Sequence, residues 1–122
     1  MTRRSFRDGG GFEEAAAYSR AVRSGDHVAV SGTSAPGGDA YEQASAAIAR
    51  ALAALRELGA QPEDVLRTRL LLAAGCDWEG AVRAHREAFA GIDPANTTYY
   101  VAGFIPDDVL VEVELDALAP PR

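Results

Sequence analysis

The sequence predicts an α+β fold in which a six-stranded mixed sheet carries two helices on one face, in the order β-β-β-α-β-α-β-β. Two observations predict the helices, because apolar residues recur at helical spacing after Asp39 and again after Asp77. A third predicts the sheet, since residues 109–118 alternate between apolar side chains and a second set that is mostly acidic. No repeat or second domain is visible, so we expect one domain over residues 1–122.

The N-terminal part of the chain is predicted to form three strands joined by turns. Residues 1–11 are polar and end in three glycines, which indicates a flexible arm or a lead-in strand. Extended stretches on either side of the turn-forming residues 24–26 predict a hairpin. Ser31 and Gly32 close the second strand of that hairpin.

Two helices are predicted from their start and stop signals. The first is expected over residues 40–58, because Asp39 followed by Glu42 resembles a capping box. The second is expected to begin at Asp77 as its N-cap and to end at Gly91. The apolar stripe predicted for the second helix consists of Trp78, Val82, His85 and Phe89.

Strands over residues 65–73, 97–104 and 109–118 complete the predicted sheet. The helices cover the face with the Val and Leu stripes, and the other face is left open. A sheet of this size commonly hides an open face by oligomerising, so we expect a homo-oligomer. The open face is predicted to carry Arg67, Arg69, Glu112 and Glu114.

The charge of the chain excludes several classes of function. All 12 basic residues are arginines, so neither a Schiff-base lysine nor a phosphate-loop lysine exists. The formal net charge is -6 at pH 7, which argues against a nucleic-acid partner because such binding needs clustered positive charge.

Cysteine usage and hydropathy indicate a cytoplasmic protein. Cys76 is the one cysteine, so no internal disulfide can form, and we expect it to be inert or mildly oxidisable. No leader or long apolar run is present, so we expect no membrane association. No spacing of ligand-type residues indicates a metal, and we expect no cofactor.

Five short motifs are spread over most of the chain, namely Tyr18-Ser19-Arg20-Ala21-Val22, Val28-Ala29-Val30-Ser31-Gly32-Thr33, Pro94-Ala95-Asn96-Thr97-Thr98, Ile105-Pro106 and Val111-Glu112-Val113-Glu114. Together they resemble the Rid/YjgF family, also labelled the endoribonuclease L-PSP family, from about residue 12 to residue 118. That resemblance implies a chorismate-mutase-like fold and a homotrimer with small-molecule clefts at the subunit interfaces. It also implies hydrolysis of reactive enamines and imines derived from amino acids, with release of ammonia and a 2-keto acid.

The resemblance also implies which residues form the site. Glu112 matches the family glutamate that positions water or moves a proton, and we expect it to be catalytic. Tyr18 matches the tyrosine near the hairpin, and Ser31 and Gly32 match the turn that lines the cleft. A second interpretation of Glu112 remains open, because cross-strand pairing with an arginine of the neighbouring strand would give it a purely structural role.

The sequence departs from the family at the residue that holds the substrate carboxylate. Asn96 stands where the family has an arginine, and an amide supplies neither the charge nor the bidentate fork of a guanidinium. We still expect Asn96 and Thr98 to be substrate-binding residues. Arg20 and Arg83 are the two cations that could replace the missing arginine, and surface ion pairs are the alternative role for both.

Three functions therefore stand side by side. The first is a trimeric hydrolase acting on imines or enamines. The second is a binding or transforming module for a less polar metabolite without deaminase activity, which the missing arginine and the pair Tyr99-Tyr100 favour; one of these tyrosines is expected to face the core. The third is a nuclease, which the family label suggests and the negative charge disfavours. His85 is expected to be a packing residue.

Overall fold

The computed structural model describes residues 2–10 and 12–121, so Met1 and Gly11 of the predicted arm lie outside the described residues. The strands are β1 (Arg3–Phe6), β2 (Ala21–Ser24), β3 (His27–Thr33), β4 (Val65–Ala73), β5 (Ala95–Val101) and β6 (Val111–Leu118). The helices are α1 (Glu13–Ala16), α2 (Ala40–Glu57) and α3 (Trp78–Phe89), with a 3-10 turn at Pro62–Asp64.

One sheet contains all six strands, in the order β1-β2-β3-β6-β4-β5. The β4 and β5 strands run parallel, and the other neighbouring pairs are antiparallel. The α2 helix packs on β3 and β6, and α3 packs on α2. The predicted fold class, a six-stranded mixed sheet with two long helices on one face, is confirmed.

The first long helix follows its predicted signals closely. The side chain of Asp39 accepts a hydrogen bond of 2.8 Å from the backbone N–H of Glu42, which satisfies a donor that the first helical turn leaves unpaired. Gly59 follows the helix with a φ of 83°, a conformation that glycine adopts without strain. The buried side of α2 is rich in alanine, so β3, β6 and α3 can approach it closely.

The predicted stripe of α3 is wrong for two of its four members. Phe89 is buried, but Trp78 is 51% exposed and Val82 is 38% exposed. The side of α3 that enters the core carries Ala81 and Ala84 instead. Small side chains let two helices pack closely, and Trp78 and Val82 lie on the outward side of this helix.

The β5 strand lies at the edge of the sheet, and this placement corrects two expectations. It spans Ala95–Val101 rather than 97–104, and neither tyrosine reaches the core, since Tyr99 is 42% and Tyr100 is 49% exposed. An edge strand has one neighbour in the sheet, here β4, so its side chains have fewer strands to pack against. Residues 102–110 form a loop before β6, which begins at Val111 rather than at residue 109.

The α1 helix was not predicted, because four residues are too few to show a helical period. It ends at Ala17, which adopts a φ of 59°, and it buries the side chain of Glu13. The predicted hairpin follows as β2 and β3, with Gly25 at a φ of 60° in the turn between them.

Candidate functional site

A cavity of about 350 Å³ opens on the face of the sheet that the helices leave uncovered, and we call it the Glu112 pocket. It brings together three of the residues predicted from the sequence, namely Tyr18, Gly32 and Glu112. Two arginines, Arg20 and Arg50, also line it. Its apolar wall consists of Phe12, Phe104, Ile105 and Pro106.

Glu112 extends from the central strand β6 toward the open face. It is paired in register with Leu71 of β4, and its carboxylate lies against Gly32 of β3. A Cβ atom at Gly32 would lie 2.5 Å from Oε1 of Glu112, so a larger residue here would displace the carboxylate from its position. Burial raises the pKa of Glu112, the charge of Arg20 opposes that rise, and Glu114 adds to it. Such a carboxyl group is suited to accept and return a proton.

The structural alternative for Glu112, an ion pair with an arginine of β4, does not occur within the described residues. Arg69 lies 3.5 Å from a carboxylate oxygen of Glu114 and 3.3 Å from one of Asp116. Arg67 donates a hydrogen bond to Thr97. The two arginines of β4 on the open face therefore bond to residues other than Glu112, whose carboxylate faces the pocket.

Arg20 is a buried cation at the base of the pocket. Its Nη1 donates to the carbonyl oxygen of Gly32 over 2.7 Å and to Oγ1 of Thr33 over 3.3 Å. Its Nε lies 3.4 Å from Oε1 of Glu13, whose side chain is as buried as that of Arg20. The guanidinium carbon sits 5.7 Å from the ring centre of Tyr18. Arg20 thus ties the glycine that underlies Glu112 to α1.

Arg50 of α2 is the second cation and forms a bidentate pair with Asp8. Its Nε and Nη2 donate to the two carboxylate oxygens over 2.6 and 2.8 Å, and its Nη1 donates to the carbonyl of Ser34. This hydrogen bonding holds the pKa of Asp8 well below its usual range. Arg50 was not predicted, because its partner Asp8 lies 42 residues away in the chain and leaves no local signal. Glu13 was not predicted, because it lies on α1, a helix too short to show a period.

Asn96 and Thr98 lie on the other face of the sheet, in a chain of hydrogen bonds that we call the Asn96 network. Asn96 donates to Oγ1 of Thr68 over 3.0 Å and accepts from the hydroxyl of Thr98 over 2.8 Å. Oγ1 of Thr68 lies 2.7 Å from Nε2 of His85 on α3. Burial lowers the pKa of His85. The structure therefore does not bring Asn96 or Thr98 into the Glu112 pocket of the same chain.

The remaining predicted residues divide between the two faces. Ser31 donates its hydroxyl to the carbonyl of Ser19 over 2.6 Å and lines a shallow depression beside the pocket, together with Tyr18 and Gly32. Arg83 lies in the helical layer, 4.2 Å from the ring centre of Tyr41. Of the two cations considered as replacements for the family arginine, only Arg20 lines the pocket.

Within residues 2–10 and 12–121, no group of three or more His, Cys, Asp or Glu side chains is arranged to hold a metal ion. None of the helices described here has the length and hydropathy required to cross a membrane.

Known proteins resemble the chain over nearly its full length. The family described as Endoribonuclease L-PSP matches residues 11–119. A protein of Streptomyces coelicolor, named "Uncharacterized protein SCO2049", is 40% identical over 121 residues, covering 93% of this chain and 90% of that protein. A crystal structure of a YjgF/YER057c/UK114 family member from Mycobacterium tuberculosis has a TM-score of 0.93 and 37% identity, with coverage of 97% of this chain and 100% of that one. A YjgF family protein from Neisseria meningitidis has a TM-score of 0.82 and 25% identity, with coverage of 100% and 98%.

The chain is therefore a small α+β protein whose sheet carries helices on one face and a pocket with a carboxylate on the other. Within that class, the matches establish that the chain belongs to the Rid/YjgF family, also called the endoribonuclease L-PSP family. The predicted family resemblance is confirmed.

Proposed function

We propose that the chain forms a homotrimer that hydrolyses small reactive imines or enamines in the Glu112 pocket and releases ammonia. The observation that carries this proposal is the position of Glu112, half-buried against Gly32 beside an apolar wall and with its pKa raised by burial. The lone cysteine is consistent with the cytoplasm as the proposed location.

The proposed chemistry needs one group that moves protons and a pocket that holds the substrate. Glu112 accepts a proton from water as the water oxygen bonds to the imine carbon and the C=N π electrons move to nitrogen. The protonated carboxyl group then returns that proton to the nitrogen, which gives a carbinolamine. Glu112 next takes the hydroxyl proton of the carbinolamine and passes it to the nitrogen, so that the C=O bond forms as the C–N bond breaks, and a carbonyl compound and ammonia leave. A raised pKa favours this role, because a carboxyl group of ordinary pKa would hold the returned proton too weakly at neutral pH.

Other groups of the pocket would orient the substrate. Phe12 and Phe104 offer apolar surface for its carbon skeleton. Tyr18 stands at the same cavity and can direct its hydroxyl toward the ligand or the attacking water. Arg20 holds the carbonyl of Gly32 in place, so it acts as a positioning residue for the surface on which Glu112 rests.

The open face of the sheet supports the proposed trimer. Tyr99 shares this face through its pairing with Leu71, and Leu118 of β6 is 52% exposed. Apolar side chains on an uncovered face are protected when copies of the chain pack against each other. Light scattering on the purified protein tests this part of the proposal, and a monomer at micromolar concentration would contradict it.

Glu112→Gln tests the catalytic part of the proposal. We expect this variant to lower the rate of imine hydrolysis by about 10²–10⁴-fold, since it removes the group that moves protons. Loss of the freshly generated imine can be followed by trapping what remains with semicarbazide. Asp116→Asn is the matched control, because it removes the same charge four residues along β6, on the same face of the sheet and outside the pocket. A wild-type protein that gives no acceleration over buffer would refute the hydrolase.

A second candidate function is binding without hydrolysis, and the missing cation at Asn96 favours it. In that case a metabolite would raise the melting temperature of the protein through the linkage of binding to stability. Imine hydrolysis would then be absent from the wild-type protein, whereas ligand binding would still be lost when the pocket is altered.

A further inference from the structure

Both cations that line the Glu112 pocket are already paired within the chain. Arg50 uses Nε and Nη2 for Asp8 and Nη1 for the carbonyl of Ser34. Arg20 directs Nη1 at the backbone of Gly32 and Nε at Glu13, with a second carboxylate, Asp8, at 3.8 Å. A ligand carboxylate would have to compete with these internal partners.

Among the described residues, Glu112 is the carboxylate that lines the pocket and has no ion pair or hydrogen bond of its own. The two arginines of the pocket and their partners beside it, Asp8 and Glu13, balance in charge when ionised, so an ionised Glu112 makes the site negative. The charge of Arg20 reaches Glu112, yet the hydrogen bonds of Arg20 go to Gly32 and Thr33. Within the described residues, the pocket thus offers a negative group without a hydrogen-bonded partner beside an apolar wall.

We infer that the substrate of this pocket is a small apolar imine that carries a positive charge on nitrogen and no carboxylate, and that the related amine binds as its analogue. This inference rests on the proposed hydrolase for its chemical step and on the charge arrangement for its specificity. In that step an aldiminium ion and water give an aldehyde and an ammonium ion, with no oxidant or reductant required. The reaction that supplies the substrate is therefore an oxidation of a primary amine rather than of an amino acid.

The charge arrangement discriminates between the two kinds of substrate. A cationic nitrogen next to Glu112 gains a charge-assisted hydrogen bond in a site partly withdrawn from water. A carboxylate in the same space is repelled by Glu112, loses hydration, and must compete with Asp8 and Glu13 for the two arginines. Phe12, Phe104 and Pro106 complete this selection, because they accept a hydrocarbon chain and offer no charge.

Three probes of one carbon skeleton test the inference by calorimetry on the full-length protein. They are 3-methylbutylamine, L-leucine and 4-methylpentanoate, which carry an ammonium group, both charges and a carboxylate respectively. We expect the amine to bind at least about tenfold more tightly than leucine, which corresponds to about 1.4 kcal/mol. Glu112→Gln should remove this preference, and Glu114→Gln should retain it, since Glu114 pairs with Arg69 outside the pocket.

A gain of function gives a second test. Asp8→Asn removes the bidentate partner of Arg50 and leaves a guanidinium facing the pocket. We expect this variant to bind 4-methylpentanoate at least about tenfold more tightly than the wild-type protein does. Because the Arg50 side chain is itself partly exposed, the change leaves no fully buried cation without a partner.

Three outcomes would overturn the inference: leucine binding as tightly as the amine, no binding of the amine, or amine binding that survives Glu112→Gln. Hydrolysis separates it from the proposed function. Faster hydrolysis of the leucine-derived imine than of the amine-derived imine refutes the specificity and leaves the hydrolase standing. Preferential amine binding without any hydrolysis refutes the hydrolase and leaves the specificity standing.

Discussion

The Glu112 pocket and the Asn96 network lie on opposite faces of one sheet and handle polar groups in opposite ways. In the network each side chain has a neutral partner from a neighbouring element, as in the bonds from Asn96 to Thr68 and from Thr68 to His85. In the pocket the groups are charged, and Glu112 keeps a carboxylate beside a cavity.

This difference separates a polar cluster that holds elements together from one that can act on a ligand. A network of satisfied neutral hydrogen bonds fixes geometry, because its polar groups are already bonded to each other and are not available to a ligand. A carboxylate whose pKa is raised by burial, next to open space, can exchange a proton with a bound molecule. Substitutions in the network should therefore lower stability and leave activity unchanged, whereas substitutions at Glu112 or its supporting glycine should lower activity.

The largest expected effect is on stability, at the buried ion pair beneath the pocket. Arg20→Met leaves the carboxylate of Glu13 buried without its cation, so we expect the free energy of unfolding to fall by about 3–5 kcal/mol. Urea denaturation measures this loss.

The control for that prediction is the double variant Arg20→Met with Glu13→Leu. Replacing both members of a buried pair by apolar residues removes the unpaired charge, so most of the lost stability should return. If Arg20→Met alone is as stable as the wild-type protein, the ion pair does not stabilise the fold. The charged groups of the pocket and the neutral groups of the Asn96 network would then differ less in their effect on stability.

Sequence patterns predicted the sheet and helices well because each depends on local signals, such as the cap at Asp39 and the alternation along β6. The pocket was predicted in part, since Tyr18, Gly32 and Glu112 belong to family motifs. The pairing of Arg50 with Asp8 could not be predicted, because it depends on where an irregular N-terminal segment crosses a helix.

Asn96 shows a different limit of sequence reasoning. The family motif places a substrate-binding residue at this position, and the motif alone cannot say which face of an edge strand the side chain takes. The pairing of Asn96 with Thr68 places it on the helix-covered face, where it bonds to a buried hydroxyl. Burial of that partner depends on α3, which is remote in the sequence.

The next effect in size is on activity, at the glycine under Glu112. Gly32→Ala places a methyl group 2.5 Å from Oε1 of Glu112, so the carboxylate must move. A displacement of about 1 Å can cost about 10²-fold in rate, and we expect a loss of that order in imine hydrolysis. Gly38→Ala is the matched control, since its nearest carboxylate oxygen, from Glu42, lies at an ordinary 3.5 Å. Equal activity in both variants would contradict the role of Gly32.

A smaller effect is expected in the Asn96 network. Asn96→Ala removes the hydrogen bond to Thr68, so the free energy of unfolding should fall by about 1 kcal/mol. Imine hydrolysis per folded chain should stay at the wild-type level if the network is structural. A fall in activity without a fall in stability would show instead that Asn96 reaches a substrate, as its place in the family motif suggests.

The smallest effect is on the pH dependence of stability, and its sign should differ between the two faces. Burial raises the pKa of Glu112, so the folded state is penalised as pH rises above the usual glutamate range. The stability advantage of Glu112→Gln over the wild-type protein should therefore be largest at neutral pH and shrink on acidification.

Burial lowers the pKa of His85, so the folded state is penalised as pH falls below the usual histidine range. The advantage of His85→Gln, after the loss of its bond to Thr68, should therefore grow on acidification. Melting temperatures of both variants and the wild-type protein, measured from the usual glutamate pKa range up to neutral pH, show how the stability difference of each variant changes with pH. Changes of equal sign in the two variants would contradict the division between the faces.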